Sequence, residues 1–183
     1  MAHYFLIVDL EATCSDDGSI PRHEMEIIEI GAVMLNRENW EIDSEFQTFI
    51  KPIRHPKLTN FCTELTTICQ HDVENAPEFA KAIKNFQEWM YSFPNYIFCS
   101  WGNYDKTQFI QDCKFHNISY PFNSEHRNIK KEFSEYIVTS KSFGMAQALN
   151  HLEIELKGTH HRGIDDARNI ASIYRYMQTK KYS

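Results

Sequence analysis

The chain has 183 residues, 42% of them hydrophobic and 14% aromatic, with a formal charge of −6 and five cysteines. That is enough apolar material to bury a core, and the lack of a Gly/Ser/Pro-rich linker, low-complexity tract or internal repeat excludes a disordered or repetitive chain and points to one domain over 1–183. Cys14, Cys62, Cys69, Cys99 and Cys113 are odd in number and never spaced C-x-x-C, which argues against a disulfide framework or zinc knuckle and for reduced thiols.

The first element is the run YFLIVDLE, Tyr4 to Glu11. Five consecutive β-favouring apolar residues suit a strand buried on both faces. The run is interrupted by Asp9 and has no basic region before it, so it is neither a signal peptide nor a membrane span. The expectation is a cytoplasmic protein with no membrane partner. A polar loop with Gly18 and Pro21 follows, and then EIIEIGAVML, apolar at nearly every position, reads as a strand near the sheet centre. EFQTFIKP alternates roughly and ends at Pro52, giving a third strand after a turn around Asn36 to Trp40, and hence an antiparallel meander.

From Asn60 to Ile68 the sequence suggests a short helical turn. A clearer helix begins at Asn75, with Pro77 in its first turn and Phe79, Ile83, Phe86 and Met90 on one face. YIFCS, Tyr96 to Ser100, is a short strand, made a parallel neighbour of the first by the crossover helix before it. Asp105 opens a helix with Phe109 and Cys113 inward, and Lys130–Val138 and Phe143–Leu152 read as two more. A loop with Gly158 and Gly163 then leads into a last helix ending near Lys180. Three strands, a helix, a strand and then mostly helices is an α/β layer. A ribonuclease H-like architecture, a central mixed five-stranded sheet flanked by helices, fits this order, and its chemistry is expected at the ends of the first and fourth strands.

Asp9 and Glu11 lie two residues apart on a strand, so both side chains project from one face, roughly 7 Å apart along the backbone. Two like charges at the end of an apolar strand repel and lose hydration, which a divalent cation would relieve. The plainer reading is a strand leaving for a solvated loop. Asp105 stands where an N-cap belongs, with Gln108 three residues on as in a capping box, and the same position would face a cleft beside Asp9. In HHRGIDDAR, His160 with Asp165 and His161 with Asp166 share one spacing. Helical periodicity chooses between them. Asp166, Ile170, Ile173 and Met177 form the inward stripe, while Asp165 shares the outward face with Arg168, Asn169, Ser172 and Tyr176. An acid on an apolar stripe is costly unless compensated, and a cation shared with Asp9 and Asp105 would compensate it. His161, between Gly158 and Gly163 on the loop feeding that helix, is placed to take a proton from water, and its alternative is an ordinary surface histidine.

Asp9-x-Glu11, Asp105 after W-G-x-Y, and His161-x4-Asp166 together resemble the DEDDh 3′-to-5′ exonucleases. The wording DLEATC, EIIEIGAV, FCTELTTI, SWGNYD and HRGIDDARNIA is similar to the subgroup of histone-mRNA and small-RNA 3′ exonucleases and sporulation-inhibitor-like proteins. The chain departs from that subgroup at Thr67, where Gly is frequent, and at Tyr104, where Trp is frequent. The resemblance implies that Asp9, Glu11, Asp105 and Asp166 hold two Mg²⁺ or Mn²⁺ ions about 4 Å apart, with Asp9 bridging and His161 as proton acceptor. It further implies backbone groups around Ala12 and Thr13 at the terminal 3′-hydroxyl, and Phe61 and Tyr104 as faces for the last base. The implied partners are 3′ ends of single-stranded RNA or DNA, with RNA favoured. Arg127, Lys130, Arg162 and Arg168 are candidates to track the phosphates, with solvated surface charge as their default role.

The charge of −6 does not exclude nucleic acid, because two divalent cations would leave about −2 and a locally favourable potential. Two other readings stand beside the exonuclease. One is a catalytically silent nucleic-acid-binding or regulatory module, against which the full set of acids plus His161 argues. The other is a different metal-dependent phosphoesterase on a similar fold, separable by its products.

Overall fold

β1 (Tyr4–Ala12) runs through the centre of a five-stranded sheet because both its faces are apolar: Leu6, Ile7 and Val8 are fully buried. A computed structural model describes residues 3–180, so residues 1–2 and 181–183 of the expected 1–183 domain lie outside the described residues. β2 (Ile27–Asn36) pairs antiparallel with β1, and β3 (Ile42–Phe49) antiparallel with β2. β4 (Tyr96–Ser100) lies parallel to β1 on its other side, and β5 (His126–Asn128) parallel to β4, giving the order β3-β2-β1-β4-β5. The mixed sheet and the meander are as the sequence suggests.

Helices cover both faces. Phe5, Ile7, Val33 and Leu35 pack against α5 (Ile129–Tyr136), α6 (Met145–His151) and α7 (Gly163–Lys180). Leu6, Val8, Ile30, Ala32 and Met34 pack against α3 (Phe79–Met90) and α4 (Tyr104–Phe115). Strand alternation therefore assigns the odd residues of β1 to the α7 side, and Asp9 and Glu11 continue that face. A smaller cluster of Ile28, Leu58, Cys62, Ile68 and Val73 seats α1 (Asn60–Thr66) and α2 (Gln70–Glu74) at the sheet margin.

Three local expectations need correction, and one strand carries no expectation at all. β3 begins at Ile42, earlier than EFQTFIKP suggests, because Trp40 turns the chain with a left-handed φ of 60°. The third helix starts at Phe79 rather than Asn75: residues 70–74 form their own short helix ending at Asn75, and the Pro77 carbonyl is taken by the Lys51 N–H at 3.0 Å. β5 is three polar residues with no apolar run, so no sequence pattern marks it. Asn169, assigned to the outward face, is buried, where its amide bonds the Lys157 backbone N–H and carbonyl.

Thr67, where the resembling subgroup often has glycine, closes α1 with φ 61° and an exposed side chain. A β-branched residue is strained in this left-handed region, which glycine enters freely. Thr67→Gly is expected to stabilise the fold by about 1 kcal/mol, read as a higher midpoint in urea denaturation with an unchanged slope.

Candidate active site

The site forms where β1 outruns its parallel neighbour. β4 pairs with β1 only from Tyr4 to Ile7, leaving Val8 to Ala12 without a partner on that side. Asp105, on the first turn of α4, occupies the opening, and its Oδ1 accepts a hydrogen bond from the Leu10 N–H at 3.1 Å. Asp105 is therefore not the helix cap. Asn103 holds that position, and Gln108, expected in a capping box, donates instead to the Met25 carbonyl at 2.8 Å and to Asp112 at 3.0 Å. The carboxyl ends of adjacent parallel strands open a crevice here, where α/β sheets place their ligands.

From the other side comes the start of α7. Gly31 on β2 lies directly beneath it: a Cβ there would stand 2.0 Å from the Gly163 carbonyl carbon and from the Ile164 nitrogen. This close approach brings Asp166 onto the face shared by Asp9 and Glu11, and one carboxylate oxygen from each of the three lies within 4.8 Å of the others. Asp165 points away, accepting from the Thr159 N–H at 2.9 Å and from Arg168. Both histidines bracket Asp166. The His161 N–H donates to its Oδ2 at 3.0 Å, while the ring Nδ1 of His160 lies 3.0 Å from the same oxygen. The two imidazoles stack with centroids 3.9 Å apart. The rejected alternative, His160 with Asp165, is not formed: His160 turns to Asp166 instead, while Asp165 is taken by Thr159 and Arg168. His161 itself has φ 63°, a strained conformation of the kind that gathers at functional sites.

Four acids so placed resist ionisation. Burial, then the charges of Asp105, Glu11 and Asp166, raises Asp9 well above the carboxylate range. Burial and the charges of Asp166 and Glu29 push Glu11 up to about 9. Burial takes Asp105 to about 6, held there by hydrogen bonds that include the Leu10 N–H. Asp166 is also raised by burial, against the pull of His160 and the His161 N–H. His161 is lowered by burial and by His160, which keeps its ring neutral and able to accept a proton near neutral pH.

These acids and both histidines line a cleft of about 370 Å³. The rest of the lining is mainly apolar, with Leu10, Met25, Leu65, Trp101, Tyr104 and Met145. Of the residues assigned to substrate, Ala12 and Tyr104 line the cleft, while Thr13 and Phe61 do not. The Thr13 N–H and hydroxyl are both committed to the Glu26 backbone, at 2.8 and 2.9 Å. Sequence reasoning missed His160, Met25, Leu65, Trp101 and Met145. Leu65 was within reach, four residues after Phe61 on a helical turn, and Trp101 follows the strand end where chemistry was expected. Cys14 also lines the cleft, and its free thiol, hydrogen-bonded to that of Cys62, is held from ionising by that contact and by burial.

Most of the candidate phosphate-tracking cations are occupied. Arg127 pairs with Glu132 at 2.7 Å, Arg162 with the buried Glu29 at 3.2 Å, and Arg168 with Glu45 and Asp165. Lys130 has no ion pair among the described residues. Arg22, on a 3₁₀ turn, has none either, and its guanidinium lies 5.6 Å from the centre of the Tyr104 ring at the cleft.

The exonuclease family profile matches residues 6–174. The chain is 36% identical over 188 residues to ERI1 exoribonuclease 3 of Homo sapiens, covering 98% of this chain and 54% of the relative, so it spans about half the length of the curated relatives it matches. It is 33% identical to the 3′-5′ exoribonuclease 1 of Homo sapiens, covering 93% of this chain and 51% of that protein. Among solved structures, the nuclease domain of 3′hExo, a DEDDh family member, bound to rAMP, superposes with a TM-score of 0.91 at 30% identity, covering 98% of this chain and 93% of that one. Exonuclease I, at 12% identity and a TM-score of 0.75, shares the fold. With acids on β1, α4 and α7 meeting at one crevice and the profile spanning nearly the whole chain, this protein belongs to the exonuclease family, in its DEDDh branch.

Proposed function

We propose that the chain is a single 3′-to-5′ exonuclease domain over 1–183 that shortens single-stranded nucleic acid, preferably RNA, to nucleoside 5′-monophosphates. The observation that carries this reading is the convergence of Asp9, Glu11, Asp105 and Asp166 from three separate elements, and of His161 from the loop before α7, on one cleft. The names of the relatives, both exoribonucleases, support RNA.

DEDDh exonucleases use divalent metal ions, and this donor set fits them. Asp9, Glu11 and Asp166 offer oxygen ligands close enough to share a cation, the hard chemistry that suits Mg²⁺ or Mn²⁺, and their raised carboxyls are groups that a cation would return to the charged form. Two such ions would supply the charge that stabilises in-line displacement at the scissile phosphate. The chain's own groups do the rest. His161, neutral near pH 7, accepts the proton of the attacking water. The His161 N–H and the His160 ring orient the Asp166 carboxylate. The Ala12 backbone faces the terminal sugar, with Thr13 holding that segment through Glu26, while Tyr104 presents a face to the last base. Phe61, outside the cleft lining, sits one helical turn before Leu65, which does line it, and reaches the last base only if the terminal nucleotide extends past Leu65. The reading includes a cytoplasmic location, in keeping with five free cysteines. No helix among the described residues is long and apolar enough to cross a membrane.

The test is digestion of matched 3′- and 5′-labelled single-stranded RNA and DNA with Mg²⁺, Mn²⁺ or EDTA. A ladder shortening from the 3′ end, with 5′-mononucleotide products and none in EDTA, is the expected result. Internal cuts or terminal phosphate release would move the assignment to another phosphoesterase, and binding without cleavage on every substrate to the silent module.

Arg22, free of a carboxylate partner and lying over Tyr104, is placed to meet the phosphate behind the terminal nucleotide. Arg22→Ala is expected to raise KM several-fold at unchanged kcat. It should also flatten the dependence of log KM on log salt by about 0.7, as for one lost contact to a single strand. An unchanged salt slope would remove Arg22 from the interface.

A further inference from the structure

Glu29 is a buried acid for which the reading above has no use. It sits on β2 opposite Glu11, and its side chain is completely shielded from solvent. A carboxylate so placed is unfavourable unless its oxygens are bonded, and its bonding partners are informative. Oε2 accepts from the Gly163 N–H at 3.0 Å and from the Arg162 Nε at 3.2 Å, while Oε1 accepts from Gln47 on β3. Both Oε2 donors belong to the two residues immediately after His161. The Arg162 guanidinium also lies 5.2 Å from the centre of the Phe49 ring, at the end of β3.

A second feature of β2 acts at the same spot. Gly31 has no side chain, and the space a Cβ would fill is taken by Gly163 and Ile164. The segment that turns from the His161 loop into α7 is thus seated on bare backbone at Gly31 and tied down by the carboxylate at Glu29, two residues away on the same strand face. Gly163 in turn is packed closely against both strands: a Cβ on it would stand 3.0 Å from the Asp9 carbonyl oxygen and 3.0 Å from the Gly31 nitrogen. His161 is held with φ 63°, a conformation that needs its surroundings to maintain it.

We infer that Glu29 is a positioning residue: with Gly31 it forms a latch on β2 that fixes the Arg162–Gly163 segment, and through it sets His161 and Asp166 against Asp9 and Glu11. This inference deepens the exonuclease reading and rests on His161 and Asp166 acting as proposed there. The latch holds the histidine loop by charge-assisted hydrogen bonds to a backbone amide and a guanidinium, which are stronger and more directional than neutral ones. An error of an ångström at the proton acceptor costs far more in turnover than in substrate binding, because the wall that faces the base is built from other elements.

The experiment compares wild type with Glu29→Gln, which keeps the side-chain shape and removes the charge. Two readouts are used: steady-state cleavage of 3′-labelled single-stranded RNA, and amide hydrogen exchange followed by peptide. The expected result is a 10- to 100-fold fall in kcat with KM within twofold, together with faster exchange confined to residues 158–164. Unchanged kcat and unchanged exchange at 158–164 would overturn the latch, and so would faster exchange spread over the whole sheet, which marks a general packing role. Should Glu29→Gln fail to fold, Arg162→Gln removes the part-exposed partner, with the same expectations for both readouts. If wild type cleaves no substrate at all, the exonuclease reading fails by itself, while local exchange at 158–164 still decides whether the latch exists.

Discussion

Asp9→Asn is expected to abolish cleavage and, in the absence of metal, to make the protein more stable. The loss of activity should be roughly a thousandfold or more, since this residue shares the α7-side face of β1 with Glu11 and offers an oxygen to the same cation position as Glu11 and Asp166. The gain in stability follows from the same crowding. Burial and four neighbouring acids, Asp105, Glu11, Asp166 and Glu29, raise Asp9, so its charged form is a burden on the metal-free fold. Removing one charge is expected to add on the order of 1 kcal/mol, or about 2–4 °C in Tm. Thermal denaturation of both proteins in EDTA and in Mg²⁺ checks both halves: the variant should melt higher in EDTA, and only wild type should gain substantially from metal.

The pH dependence has a definite sign. Glu11 moves from an ordinary 4.5 to about 9 and Asp105 from 3.8 to about 6 on folding. Both folded values are raised, so the folded state binds protons more readily than the unfolded one. The destabilisation is fully present above the folded values and disappears as pH falls through them toward the unfolded values. Metal-free protein is therefore expected to gain Tm as pH falls from about 9 to about 5. Divalent cations favour the charged carboxylates and reverse the trend, so stabilisation by Mg²⁺ should be larger at high pH than at low. A metal-free Tm that rises with pH over this range would contradict the arrangement of acids described here.

The second large effect concerns which histidine takes the proton. His161→Asn is the informative substitution, because asparagine tolerates the left-handed backbone found at this position and isolates the loss of the imidazole. A fall in kcat of about 10²–10⁴ with little change in KM is expected. His160→Asn should cost much less, since Asp166 keeps its hydrogen bond from the His161 N–H. The reverse order would assign the proton to His160, whose ring nitrogen lies 3.0 Å from Asp166. Because burial lowers His161, the acidic limb of the kcat profile attributable to it should fall below the usual imidazole value.

Much of this was legible in the chain itself. Period-two alternation placed Asp9 and Glu11 on one face of β1, and period-3.6 spacing chose Asp166 over Asp165; both readings hold in the structure. Local apolar runs also located β1, β2 and β4 and the inward faces of α3 and α4, because burial on a regular element imposes a repeat that sequence must carry. What the tertiary structure decided has no such repeat. Asp105 reads as a helix cap until Leu10, 95 residues away, is found bonded to it. Glu29 reads as an interruption in an apolar strand until Arg162 and Gly163, more than 130 residues later, supply its partners. Gly31 carries no signal until α7 lies across it. The polar β5 and the stacking of His160 on His161 are equally silent. Periodicity reports which way a side chain points from its own element; which partner it meets there is set by the packing of distant elements, and these long-range contacts assemble the site.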